Sequence, residues 1–454
     1  MPSPLRWLRW LTAGALLLTL TSPVHAQRNG APLPDAAAPS AAGQRIVENT
    51  RMHLLQVRTL LKGQDSQASV GSAFLVDASG LAITNYHVVS QYALRPQAYR
   101  LSFTRADGGS GALELLAFDA IHDLALVRVL PEVNNATRAA AAAPLVFRPA
   151  SQPLAAGERL FALGFPLDVG FAVVEGVYNG LVERSYLPQI FFGGSLNPGM
   201  SGGPALDSRG RVIGINVATR RDGEQVSFLV PAQFAQALLE RGRSASSITE
   251  PVHAELTRQL RQHQAGLVDR FVAQPWRSAN HERYNVPVPQ EDFMRCWGRA
   301  SPAQAKYFRF ERSDCAMDNG VFVTPRLITG VIKVRHESYD GSRLGALRFS
   351  HVYSQSFRNE SFFGGADATP PRCKEGFVDR DGLALRTVVC IAALKRFEGL
   401  VNLSVLTTTV DHATQGVQGR LDAQGIDFDN AMRLTEHYLA GFARRSDVRS
   451  GAAQ

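Results

Sequence analysis

The sequence predicts an all-β amino-terminal domain, a helical connector and an α+β carboxy-terminal domain, and three observations carry that prediction. Before Ser201 the apolar segments read as short strands with no helical period between them. Beyond Pro231 the texture changes: residues 232–241 and 254–272 have helical spacing, the second with Leu256, Leu260, Leu267 and Phe271 set among many charges. From about Tyr284 strand-like runs return at 331–334, 347–349, 388–391 and 403–410, and residues 428–445 read as a closing amphipathic helix.

The most informative stretch is NPGMSGGP at residues 197–204, which leads into the buried-strand run VIGI at 212–215. Glycines around a serine let the backbone take positive φ and approach a ligand closely. They also leave the N–H groups of Gly199 and Ser201 free to converge, so a hydroxyl stands beside a site for an oxyanion. Alone, the run reads equally well as a glycine-rich turn between strands. Two upstream segments decide between the readings. AITNYHVV at 82–89 ends a strand on His87, and IHDLALV at 121–127 puts Asp123 at the mouth of another apolar run. Serine needs an imidazole base, and the base needs a carboxylate that fixes its tautomer and stabilises its charged form.

The string GMSGG also satisfies the G-x-S-x-G pattern of α/β-hydrolases, in which the acid and the histidine follow the serine. Here no histidine lies between Ser201 and Pro231, so chain order excludes that fold.

With VGSAFLV at 70–76, TNYHVV at 84–89, DLAL at 123–126, ALGFP at 162–166, NPGMSGGP and SFLVP at 227–231, the segment from about residue 65 to 240 resembles the HtrA/Deg-type serine proteases of the trypsin fold. The resemblance implies an all-β double Greek-key barrel. It makes His87 the general base, Asp123 its orienter and Ser201 the nucleophile, with the N–H groups of Gly199 and Ser201 as the oxyanion hole. It also places Ser195 six residues before the nucleophile, where trypsin-like enzymes that cut at basic residues carry an acid. Val217, Ala218 and Thr219 would lie along the substrate backbone, and Ser227 on the pocket wall. An uncharged pocket favours small or medium aliphatic side chains, the alternative being that the loop from Arg220 to Gln225 reshapes it.

One position departs from the family. Met200 stands where Asn or Asp is usual, and a thioether cannot hold a peptide plane by a directional bond. The expectation is a gated oxyanion loop and a gain in turnover from Met200→Asn. A Met200 seated in an apolar socket would instead make Asn neutral or harmful.

At the amino terminus, Arg6 and Arg9 precede the apolar run 11–20, and Val24-His25-Ala26 supplies small residues at a cleavage site. That pattern reads as a secretory signal peptide, the alternative being an uncleaved anchor. The expected organisation is a signal peptide at 1–26, an Ala/Pro-rich linker at 27–44, the protease domain at 45–243, the connector at 244–280 and the α+β domain at 281–454. No membrane span is expected after signal cleavage.

Hydrophobic content of 45% supports full cores, and the net charge of +8 carries no Lys/Arg block with interleaved aromatics, so nucleic acid is not an expected partner. Cys296, Cys315, Cys373 and Cys390 all lie beyond the protease segment. In an oxidising compartment they read as disulfides, with neighbour pairing preferred among three connectivities. No C-x-x-C pair suggests zinc, and His336, His351, His412 and His437 lack ligand spacing, so no metal or cofactor is expected. The last domain lacks the glycine-rich carboxylate loop of the PDZ domains usual in this family, and it resembles no family that would name its ligand. The function expected is an exported, periplasmic or secreted serine endopeptidase that cleaves envelope or misfolded proteins through an acyl-enzyme. The alternative is a binding, scaffold or chaperone-like protein on the same fold, with a weakly active or gated site.

Overall fold

The computed structural model describes residues 40–130, 144–219, 225–279, 281–358 and 366–445. The signal peptide and most of the Ala/Pro-rich linker fall on residues 1–39, outside the described residues. Residues 41–44, read as linker, are the first turn of helix α1 (Ala41–Thr50), whose Ile46 is buried in a core shared with both barrels.

Strands β1 (Leu54–Leu61), β2 (Gln67–Leu75), β3 (Leu81–Thr84), β4 (Tyr99–Arg105), β5 (Ser110–Asp119) and β6 (Leu124–Val129) close into a barrel in the order β1-β2-β3-β6-β5-β4. The alternation of burial along β4, with every second residue inside, is what a barrel wall requires. A second barrel holds β7 (Arg159–Gly164), β8 (Ala172–Leu181), β9 (Ile190–Phe192), β10 (Pro204–Asp207), β11 (Val212–Thr219) and β12 (Ser227–Pro231). Its order, β7-β8-β9-β12-β11-β10, repeats that of the first. The architecture is therefore the double Greek-key barrel of the trypsin fold. Closure removes every free edge of the two sheets.

Helix α2 (Tyr86–Leu94) leaves the first barrel at β3, and α3 (Ala232–Gly242) follows the second barrel, burying Ala235, Leu238 and Leu239. The connector helix α4 (His253–Ala273) buries Leu256, Leu260, Leu267 and Phe271. Its two halves enter different cores. Leu256 and Leu260 join Leu55, Val57 and Tyr86 of the first barrel, whereas Leu267 and Phe271 join the carboxy-terminal sheet. A helix that fills two cores at once acts as a rivet rather than a free linker.

Short strands β13 (Arg277–Ser278), β14 (Tyr284–Asn285) and β15 (Pro287–Val288) lead to a seven-stranded antiparallel sheet. It comprises β16 (Met294–Ala300), β17 (Arg309–Met317), β20 (Ile332–Asp340), β21 (Arg372–Arg380), β22 (Leu383–Ala393), β23 (Leu400–Thr409) and β24 (Gln415–Asp427), in the order β16-β17-β20-β24-β23-β22-β21. A hairpin of β18 (Val321–Thr324) and β19 (Leu327–Thr329) interrupts it between β17 and β20. Helix α5 (Ala346–Ser356) precedes β21; α6 (Phe428–Ala440) covers the sheet, and β25 (Ala443–Arg444) pairs back with β14.

Two sequence expectations change here. Residues 347–349, read as a strand, lie in α5: Leu347 is exposed and Phe349 buried, so their period-two spacing marks one anchored residue on a helix. The closing helix stops at Ala440 instead of 445, with Gly441 as its cap.

Both edge strands of the large sheet are stapled to their neighbours. Cys296 bonds its register partner Cys315, and Cys373 bonds Cys390. The loops they close span 19 and 17 residues, for which loop-closure entropy gives about 3 kcal/mol each. Reduction is expected to lower the urea-unfolding free energy of the full chain by that order per bond. Unchanged unfolding midpoints after complete reduction would show the staples to be idle.

Candidate active site

Asp123 organises the first barrel's share of the site. It sits in the β5–β6 turn with φ of 54°, a conformation that tolerates Asp better than most residues. Its carbonyl accepts from the Tyr86 N–H at 3.1 Å and from the Asn85 amide at 2.7 Å. Its carboxylate takes the His87 backbone N–H at 2.8 Å and His87 Nδ1 at 2.6 Å. The first of these carboxylate bonds satisfies an orphan donor in the first turn of α2, where a negative charge is also favoured by the helix dipole. The second fixes the ring and its tautomer, leaving Nε2 as the free nitrogen.

Burial works against a charged His87 ring, but the charge of Asp123 and its hydrogen bond outweigh it and hold the pKa above the ordinary histidine value. A second Asp–His pair in the same turn is tied to α3, where Arg241 reaches Asp119 at 3.3 Å. Asp119 bonds His122 Nδ1 at 2.9 Å and caps the N–H groups of Ile121 and His122, while His122 stacks on Phe234 of α3.

The turn is also gripped from outside the barrels. Gln259 of α4 donates to the Phe118 carbonyl at 3.1 Å and accepts from the Ala120 N–H at 2.8 Å, as a neighbouring strand would. Sequence reasoning missed it, since the contact spans about 140 residues and a glutamine on a charged helix carries no local signal.

The serine loop belongs to the second barrel but is clamped by the first. Gly199 has φ of 96°, and a Cβ there would stand 2.4 Å from the Phe165 carbonyl oxygen, so no other residue fits. The Pro198 carbonyl accepts from the Leu167 N–H at 2.8 Å, which turns the Gly199 N–H of that planar peptide to the opposite side. Ser72 of β2 fixes the next peptide: its hydroxyl donates to the Gly199 carbonyl at 2.7 Å while accepting from the Phe165 N–H at 3.0 Å, and its own N–H donates to Ser201 O at 2.7 Å. The N–H groups of Gly199 and Ser201 donate to no acceptor among the described residues. That is the arrangement an oxyanion hole requires.

Met200 is fully buried beside Leu160, Ile190, Phe192 and Leu229. The expectation of a loop left slack by Met200 is therefore corrected. Direction comes from Ser72 on the opposite barrel, and methionine adds an apolar anchor.

Ser201 Oγ donates to the Val217 carbonyl at 3.0 Å, and no hydrogen bond joins it to His87. Val217 and Asp123 line one cavity. Of the residues expected to shape a specificity pocket, Ser195 is exposed. Ser227 is fully buried, and its hydroxyl is committed to the Gly194 carbonyl at 2.7 Å and the Leu196 N–H at 3.1 Å. It props the loop around Ser195 rather than facing a ligand. Ala218 and Thr219 continue β11 next to Val217, and residues 220–224 beyond them lie outside the described residues. His336 is buried against Tyr438, and no metal-ligand cluster occurs among the described residues.

The family model described as "Trypsin-like peptidase domain" matches residues 71–215 of this chain. The chain is 30% identical over 193 residues to the "Probable periplasmic serine endoprotease DegP-like" of Ectopseudomonas mendocina, covering 41% of this chain and 38% of that one. It is 29% identical over 197 residues to "Protease Do-like 1, chloroplastic" of Arabidopsis thaliana, covering 40% and 41%. It thus spans less than half the length of the curated relatives it matches. Among solved structures, the active form of the Rv3671c protease from M. tuberculosis aligns at 20% identity and a TM-score of 0.39, over 47% of this chain and 89% of that one.

Burying an amide in the Met200 socket leaves polar atoms without partners, which costs about 1–3 kcal/mol. Met200→Asn is therefore expected to lower the urea-unfolding free energy by that order and to give no gain in turnover. A variant of undiminished stability and higher kcat/KM would restore the slack-loop reading.

Proposed function

We propose that the chain is a serine endopeptidase in which Ser201 is the nucleophile, His87 the general base and Asp123 its orienter, with the N–H groups of Gly199 and Ser201 as the oxyanion hole. The observation that carries this reading is the pair of unspent N–H groups held beside a serine by the Ser72 clasp. A structural turn has no use for two such donors.

In the resting arrangement the Ser201 hydroxyl donates to Val217 O. An extended substrate lying along β11 offers that carbonyl its own backbone N–H and so releases the hydroxyl toward His87 Nε2. The imidazole takes the proton as Oγ attacks the scissile carbonyl, and the tetrahedral oxyanion is met by the two N–H groups. Protonated His87 then passes its proton to the leaving amine, and water hydrolyses the acyl-enzyme by the same route. The catalytic unit is assigned to residues 45–243, joined by the connector 244–280 to the α+β domain 281–454. The signal-like opening residues, together with a relative named as periplasmic, support export and protein substrates of the envelope.

A fluorophosphonate probe should label Ser201 in the native protein. Ser201→Ala should abolish both labelling and casein cleavage, a rate loss on the order of 10⁴–10⁶. Casein cleavage by that variant above a few per cent of wild type would refute the assignment.

The base must be neutral to accept a proton, and Asp123 raises the His87 pKa. The kcat/KM for a short peptide should therefore climb with pH through a midpoint above 6.5. In Asp123→Asn only the burial effect remains, so the midpoint of the residual activity should fall below 6.5. An acid limb that stays in place in that variant would mean the titrating group is not His87.

A further inference from the structure

The hairpin β18–β19 reaches the candidate active site from the carboxy-terminal domain. Val321 and Val323 point into the core shared with the first barrel and are fully buried. Phe322, between them at a register shift of the hairpin, is only half-buried. Its ring meets the His87 imidazole edge-on with centroids 5.9 Å apart, and Tyr86 at 6.5 Å. The ring stays half-buried: it packs against the shared core and also meets the His87 imidazole.

The same ring lines a cavity of about 170 Å³ together with Asp123, Val217, Phe228 and Val230. That space is well short of the volume a drug-sized ligand needs and suits a single side chain. His263, also on its wall, is kept neutral by burial, its pKa pushed down to about 4.

Substrate geometry says which side chain arrives there. With the attacked carbonyl at Ser201 Oγ and the chain extended along β11, the side chain of the attacked residue turns toward the second barrel, near Ser195. The preceding residue's side chain turns to the opposite face, toward His87.

Resting on the serine-endopeptidase reading, we propose that Phe322 is a specificity-determining residue of the substrate cleft. With Asp123, Val217 and Phe228 it lines the site for the side chain one position before the attacked residue, and this site selects a medium aliphatic group such as Leu or Val. The carboxy-terminal domain thereby supplies part of the substrate cleft.

The test uses the full-length chain and two chromogenic peptides that differ only in Leu or Gly at that position. Wild type should prefer Leu by roughly 10-fold or more in kcat/KM, the range that a buried apolar side chain supplies. Phe322→Ala should bring the ratio near one, with the loss falling mainly on the Leu peptide. Phe322→Trp, which fills the space, should turn the preference toward Gly. Phe322→Leu keeps an apolar contact with Tyr86 and should shift the ratio in the same direction as Ala, so it carries the test if the Ala variant does not fold.

A Leu-to-Gly ratio unchanged in folded variants that still label with fluorophosphonate overturns the proposal and leaves the protease reading standing. An equal rise on both peptides would show that the hairpin covers the cleft instead of shaping it, and overturns the proposal as well. Failure of wild type to label at Ser201 removes the protease reading and this inference together.

Discussion

Four hydrogen bonds to one residue hold the first barrel's half of the site. The Asp123 carbonyl takes Tyr86 N–H and Asn85 Nδ2, and its carboxylate takes the main chain and the ring of His87. The carboxylate therefore serves two ends. It terminates a helix whose first-turn donors would otherwise lack partners, and it sets the orientation and basicity of the imidazole. A neutral replacement of similar shape would keep much of the first role and lose the second.

The complementary half is held across the barrel boundary. Ser72 sits on β2 of the first barrel, yet its hydroxyl fixes the peptide after Gly199 in the second. The Gly199–Ser201 loop thus has its direction set by the barrel that carries His87, and the two halves of the candidate site cannot drift apart without breaking buried hydrogen bonds. Such bonds are expensive to leave unmade in a low-dielectric interior.

The third support is the carboxy-terminal domain. Leu256 and Leu260 of α4 lie in the core of the first barrel with Val321 and Val323 of the hairpin, and Gln259 completes the backbone pairing of the turn that leads to Asp123. Removing this domain would expose apolar surface of the catalytic barrel and free one end of the turn that carries the carboxylate.

Local chemistry made the site legible in the sequence. A glycine-flanked serine, a histidine at a strand end and an aspartate at a strand mouth each need a special backbone, and glycine or a tight turn announces that need in a few residues. The barrel strands were legible for a related reason, since one buried face imposes its period on the chain. The same logic failed at β24, whose sequence QGVQGRLDAQGID reads as polar although nearly all of it is buried. There Arg420 pairs with Asp422 at 2.7 Å and Ser404 donates to Asp422 at 2.6 Å, so charges meet each other in the interior instead of water. It failed again at Met200, where the missing polar side chain suggested a slack loop until Ser72 was found doing that work. The sequence by itself determined which residues could carry the chemistry and in what chain order. Only the tertiary structure decided what holds them: Ser72 and Gln259 act at separations of about 130 and 140 residues, across which no periodicity or motif reports a contact.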